Sequence, residues 1–96
     1  MMEIKNAYIQ KMMAQLKEWN AEINLLEAKL ENVAADLKIK RSDELKELRT
    51  KQQAASEKIK ELEKASGDAW EQVKETTDEV WDELKTGLAH VRSKFK

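Results

Sequence analysis

The stretch DAWEQVKETTDEVWDELKTGLAHVRSKF (residues 68–95) decides the fold, because its apolar residues recur every eleven positions. Trp70 recurs as Trp81, and Val80 recurs as Val91. At about 100° per residue, the repeated residues fall on one side of an α-helix. An eleven-residue repeat corresponds to about 3.67 residues per turn, so this helix is predicted to run nearly straight. A single apolar face of this kind needs a partner surface, and the preceding residues are predicted to supply it.

The composition predicts an all-α protein with one helical domain over residues 1–96. Charged residues make up 39% of the chain, hydrophobic residues make up 41%, and there is no proline. This balance, combined with helical periodicity, is typical of long helices and coiled coils. Disordered chains of similar charge lack regularly spaced Leu, Ile and Trp.

The charge pattern and the residue types that are missing exclude several classes of protein. The 18 basic and 19 acidic residues are interspersed, so no basic face indicates a nucleic-acid partner. There is no cysteine, and no apolar run has the length of a signal peptide or of a membrane span. The predicted location is the cytoplasm, with a peripheral membrane location as the alternative.

A heptad pattern begins at Leu16 and continues for about three heptads, which predicts a coiled coil. Its core positions are Leu16, Trp19, Ile23, Leu26, Leu30, Val33 and Leu37. After Leu37 the apolar residues appear one place late, at Leu45 and Leu48. A continuous helix over residues 3–65 can absorb this skip by a local change of supercoil. The alternative is a break near Ser42, which would give a three-helix bundle.

The clearest turn signal is at residues 66–68. Gly67 can end a helix in the left-handed conformation, and Asp68 with Glu71 can cap the next helix. The favoured fold is therefore a long helical hairpin whose last helix covers residues 69–95. The residues predicted to pack between its two arms are Leu45, Leu48, Ile59, Leu62, Trp70, Val73, Val80, Trp81, Leu84, Leu88, Val91 and Phe95.

The two arms of this hairpin differ in length, which predicts a homo-oligomer. At 1.5 Å per residue the first helix is about 90 Å long and the last about 40 Å. The heptad half from Leu16 to Leu37 then has no partner within the chain. Each of its core residues gains about 1.5–3 kcal/mol on burial, so an antiparallel dimer is the simplest assembly.

No catalytic, metal-binding or cofactor-binding residue is predicted, and the chain is not expected to be an enzyme. His90 is the single histidine and points away from the apolar face. Without cysteine, one histidine does not make a recognised zinc site. The paired carboxylates of the last helix lie on its solvated face, where they favour solubility over acid–base chemistry.

The last helix also suggests membrane binding as an alternative. Trp70 and Trp81 lie at one border of its apolar face, with Lys74 and Lys85 just beyond that border. From Asp68 onward, however, five basic residues stand against seven acidic ones. Packing of both tryptophans in a helix–helix interface is therefore favoured over insertion into lipid.

The runs ASGDAWE (residues 65–71), VWDELK (80–85) and SKF (93–95) resemble the twin-tryptophan tail of a group of short bacterial coiled-coil proteins. The eleven-residue repeats are also similar to those of exchangeable apolipoproteins and some late-embryogenesis stress proteins. Neither resemblance implies a catalytic residue. The predicted function is a non-enzymatic coiled-coil structural or interaction protein that self-associates and scaffolds a partner. The alternatives are a peripheral lipid-binding protein and a helical stress protectant.

Overall fold

The computed structural model describes residues 2–95, with side chains described from residue 4 onward. Helix α1 spans Met2–Lys29, α2 spans Ala35–Lys64 and α3 spans Gly67–Lys94. A short 3₁₀ turn over Leu30–Asn32 follows α1. The described residues form an elongated body of 51 × 18 × 17 Å. The prediction of an all-α protein is confirmed.

The three helices form an up-down-up bundle in which α2 contacts both of its neighbours. Arg49 of α2 bonds to Asn24 and Glu27 near the end of α1, as expected for an antiparallel pair. Tyr8, near the start of α1, bonds to Asp78 in the first half of α3, so α1 and α3 run parallel. This three-helix arrangement corresponds to the alternative predicted from the sequence, in place of the favoured hairpin.

The long helix predicted over residues 3–65 is wrong, because the chain turns at residues 30–34. The alternative break near Ser42 is also misplaced, since α2 is continuous through that residue. On either side of Ser42, the largely buried Arg41 bonds to Glu44 one turn later, and both residues lie within α2. The apolar pattern therefore belongs to two separate helices. Their boundary, at residues 30–34, lies before the one-residue skip.

The residues at the break explain why the helix ends there without glycine or proline. Asn32 and Val33 have low intrinsic helix propensity, and β-branched Val33 readily adopts an extended backbone. Val33 (φ −79°, ψ 139°) and Ala34 (φ −56°, ψ 143°) are both extended. This short connection folds α1 back along α2, so the apolar faces of both helices become buried.

The residues predicted to form a dimer interface lie largely inside this bundle. Leu16, Ile23 and Leu26 are buried in the core of the single chain. The remaining members of that set differ in exposure: Trp19, Leu30 and Val33 are half-buried, and Leu37 is exposed. A dimer was predicted because the heptad stretch from Leu16 to Leu37 lacked a partner within the chain. In the bundle most of these residues pack within the chain, so that reason no longer applies.

The residues predicted to pack between helices within the chain all lie in or against its core. The fully buried ones include Leu48, Leu62, Leu84 and Leu88. Val73, Val80 and Phe95 are half-buried and pack against the same cluster. The others, which are also buried, are Leu45, Ile59, Trp70, Trp81 and Val91. The eleven-residue repeat of α3 therefore faces α1 and α2.

The turn at residues 66–68 differs in detail from its prediction. Helix α3 begins at Gly67, and no described glycine has a positive φ. Asp68 lies inside the first turn of α3, and Ser66 occupies the N-cap position without a side-chain cap bond. The left-handed Gly67 and the capping pair of Asp68 with Glu71 are therefore wrong. An extended Ala65 and Ser66 suffice to reverse the chain.

Because Gly67 is helical, Gly67→Ala is expected to stabilise the protein by about 0.4–1 kcal/mol. A Cβ atom at this position would meet no atom within 4 Å. The gain arises mainly from reduced freedom of the unfolded chain, and thermal unfolding would measure it as a rise in Tm of a few degrees.

Gly87→Ala is the matched control for this substitution. Its Cβ would lie 3.3 Å from both Cδ2 of Leu48 and Nζ of Lys51, so crowding offsets the gain in helix propensity. A fall in Tm for Gly67→Ala would instead support the left-handed turn that the sequence suggested.

Candidate functional site

An aromatic cluster joins the start of α1 to the start of α3, and we define it as Lys5, Tyr8, Trp70, Lys74 and Asp78. The Tyr8 and Trp70 rings pack edge to face with centroids 5.5 Å apart. Nζ of Lys5 lies 5.7 Å from the Trp70 ring centroid, and Nζ of Lys74 lies 5.5 Å from that of Tyr8. Two ammonium groups therefore flank two packed rings.

One hydrogen bond connects this aromatic cluster to the segment between α2 and α3, and another joins two members of the cluster. Nζ of Lys5 donates to the carbonyl oxygen of Ala65 at 2.7 Å. The Tyr8 hydroxyl donates to Oδ1 of Asp78 at 2.5 Å. Beside the cluster is a hollow of about 380 Å³, which extends to Ile4 and Gly67. It combines apolar walls with polar groups, as small-molecule sites do.

The environment of Tyr8 raises the pKa of its phenol well above the ordinary value of about 10. Burial is the largest cause, because it disfavours the phenolate. The hydrogen bond to Asp78 and the negative charge of that carboxylate act in the same direction. Since the folded protein holds the phenolic proton more tightly, this contribution to stability is complete below pH about 10 and is lost as the pH rises through the raised pKa.

Tyr8 is the single tyrosine of the chain, so its ionisation can be followed directly by absorbance at 295 nm. We expect its midpoint in the folded protein to lie above that in denaturant. Asp78→Asn should lower the midpoint without restoring the ordinary value, because burial remains. A midpoint near pH 10 in the folded wild-type protein would contradict the observed packing of Tyr8.

An acidic groove lies between α2 and α3 and has a volume of about 700 Å³. Glu47, Glu79, Asp82 and Glu83 line it, together with Glu44, Lys51 and the exposed His90. Its floor is formed by Leu48, Gly87 and Val91. Within the described part of the chain, no group of three or more His, Cys, Asp or Glu side chains is placed to hold a metal ion.

The third surface is the exposed end, which we define as residues 33–40 together with Lys29, Lys94 and Phe95. All seven residues from 34 to 40 are exposed, so the first turns of α2 lie outside the packed part of the bundle. Leu37 is 42% exposed and Ile39 is 77% exposed. Leu37 shares a hollow of about 420 Å³ with Phe95, Lys29 and Lys94.

Positive charge is concentrated at this end of the molecule. Residues 27–41 and 92–95 contain six lysines and arginines against three acidic residues, whereas the whole chain has a net charge of −1. Two of the six are paired with carboxylates, Arg41 with Glu44 and Arg92 with Glu22. The exposed end therefore combines exposed lysines with apolar side chains.

Sequence reasoning identified Leu37 and Phe95 but placed both in interfaces, and it did not identify the aromatic cluster. The partners in that cluster are 60 to 70 residues apart in the chain. They meet because α1 runs parallel to α3, an arrangement that depends on the break at residues 30–34. The low helix propensity of Asn32 and Val33 was the one signal that could have located the break.

In comparisons with known proteins, no family model, no curated protein and no solved structure matches this chain. None of the helices within residues 2–95 is both long enough and apolar enough to span a membrane.

Proposed function

We propose that this chain is a non-enzymatic structural and interaction protein that binds a partner through its exposed end. The observation that carries the proposal is the run of seven exposed residues that contains Leu37 and Ile39. Concentrated exposure of apolar side chains is typical of interaction sites. Leu37 and Ile39 are two positions apart in α2, so they project from different sides of its first turns, and a partner that encloses this end would contact both. The other heptad core positions, from Leu16 to Val33, are buried or half-buried within the chain, so Leu37 is the member of the heptad pattern left for a partner.

The charge of the exposed end supports a partner with an acidic surface. Lys29 and Lys94 border the hollow that Leu37 and Phe95 share. Such charges speed encounter with a complementary surface and exclude partners of like charge. Two copies meeting end to end would bring these lysines together, so self-association through this surface is not part of the proposal.

The two alternative functions receive less support from the packing. Membrane binding through the last helix would need the face that carries Trp70 and Trp81, and both side chains are buried in the bundle. A stress protectant that is partly disordered alone would need exposed apolar faces along its helices. In contrast, α1, α2 and α3 bury theirs against one another.

Site-specific photo-crosslinking in the source cell tests the proposal. A benzophenone amino acid at position 39 should yield a discrete crosslinked product, because this side chain faces outward from the exposed end. The matched control places the same group at position 13, where Met13 is 51% exposed on α1.

The double variant Leu37→Asp, Lys94→Glu should remove the crosslink from position 39, because it reverses the apolar and basic character of the surface. Equal products from positions 39 and 13, or none from position 39, would contradict the proposal.

A further inference from the structure

The hollow beside the aromatic cluster takes no part in the proposed function, and its size and walls suit a small molecule. At about 380 Å³ it is at the lower end of the range of roughly 300–1,000 Å³ typical of small-molecule sites. Its walls include the half-buried Tyr8 and the buried Trp70, with Ile4 at the outer edge. The size and the walls fit a flat apolar body of one or two rings.

The charged groups around this hollow favour a ligand with a negative charge. Lys5 and Lys74 line it, whereas Glu71 is the single carboxylate among the described residues of its lining. An ammonium group has three N–H donors, and the bond of Lys5 to Ala65 uses one of them. The protons that remain can bind an acceptor placed at the edge of the aromatic walls. Asp78 is already engaged by the Tyr8 hydroxyl.

We propose that this hollow is a binding site for a small aromatic carboxylate, with the rings on Tyr8 and Trp70 and the carboxylate between Lys5 and Lys74. The rings supply apolar contact, and the two ammonium groups supply charge-assisted hydrogen bonds. The exposed Gly67 leaves open space beside the hollow, because a Cβ atom there would meet nothing within 4 Å. The site lies at the opposite end of the bundle from the exposed end, so it is independent of the proposed function.

Titration with 2-naphthoate, followed by ¹H–¹⁵N NMR of the wild-type protein, tests this site. The chain has two glycines and three tryptophans, so their amide and indole signals are few and can be assigned. Saturable shifts are expected at the Gly67 amide and the Trp70 indole, with the Gly87 amide and the Trp81 indole unchanged. A Kd of about 1 mM is expected for a ligand of about a dozen non-hydrogen atoms.

Two comparisons test the charge selectivity. The cation 2-naphthylmethylamine, which has the same rings, should bind at least tenfold more weakly than 2-naphthoate. The double variant Lys5→Gln, Lys74→Gln should weaken 2-naphthoate at least fivefold. The matched control Lys46→Gln, Lys85→Gln, which changes two exposed lysines away from both the hollow and the exposed end, should leave the Kd unchanged.

Three results would overturn the proposal. The first is the absence of a saturable shift at Gly67 up to 20 mM 2-naphthoate, which would leave the cluster with a role in packing alone. The second is equal binding of the anion and the cation. The third is a set of shifts centred on Gly87 and Trp81, which would place the ligand elsewhere. None of these results depends on the folding of a variant.

Discussion

Leu26→Asp is expected to unfold the protein, whereas Leu37→Asp should leave it folded. Leu26 is 4% exposed in the core of the bundle, and Leu37 is 42% exposed at its end. Removing a buried leucine side chain costs about 2–5 kcal/mol, and a carboxylate without a partner adds a further desolvation cost. Domains of this size have a total stability of about 5–15 kcal/mol, so the Leu26 variant loses much or all of it. Circular dichroism at 222 nm and urea titration measure both effects.

This pair of variants also separates the bundle from the long-helix dimer. In one continuous heptad helix, Leu26 and Leu37 both occupy core positions, and both substitutions would dissociate a dimer. In the bundle, the wild-type protein and Leu37→Asp should sediment as folded monomers, because the heptad residues are occupied within the chain. An elongated wild-type dimer that both variants dissociate in analytical ultracentrifugation would contradict the three-helix arrangement.

Much of the fold follows from the spacing of apolar residues. The eleven-residue repeat predicts which face of α3 is buried, and Trp81, Leu84 and Leu88 lie in the core. The heptads predict the inward positions of α1, including Ile23 and Leu26. Periodicity succeeds here because burial of a helix face depends on its own sequence and requires no knowledge of its partner.

The break between α1 and α2 was harder to locate because its local signals are weak. No glycine or proline marks it, and neither Lys29 nor Ala34 caps a helix with its side chain. The one-residue skip in the apolar pattern pointed to Ser42 instead, but Arg41 and Glu44 bond to each other there within a continuous α2. Tertiary packing decides the position of the break. Turning at residues 30–34 places the apolar face of α1 against that of α2.

The position of the break in turn determines the candidate sites. A single helix through residue 34 would carry the start of α1 far from α3, and the contact between Tyr8 and Trp70 would not form. The exposure of Leu37 has the same origin, since its heptad partners stay in α1 while Leu37 begins a different helix. Neither the aromatic cluster nor the exposed end could therefore be predicted from the sequence on the assumption of a continuous helix.

Trp81→Ala is expected to destabilise the protein by about 3–5 kcal/mol, whereas Trp81→Phe should change its stability by no more than about 1 kcal/mol. Trp81 is 4% exposed, and its ring centroid lies 6.3 Å from that of Trp19. Alanine removes the whole ring from the centre of the contact between α1 and α3 and leaves a cavity. Phenylalanine retains most of the apolar contact.

The small effect of phenylalanine follows from the indole nitrogen. Among the described side chains, Nε1 of Trp81 is a buried donor without a hydrogen-bond acceptor. Such an unpaired donor costs about 1–3 kcal/mol, so its removal offsets the loss of indole volume. Trp70→Phe is the control, because phenylalanine weakens the cation–π contact with Lys5 and removes no buried unpaired donor. Urea unfolding of the three variants should therefore give the order Trp81→Phe, Trp70→Phe, Trp81→Ala from most to least stable. A Trp81→Phe variant as unstable as Trp81→Ala would show that the indole N–H has a partner.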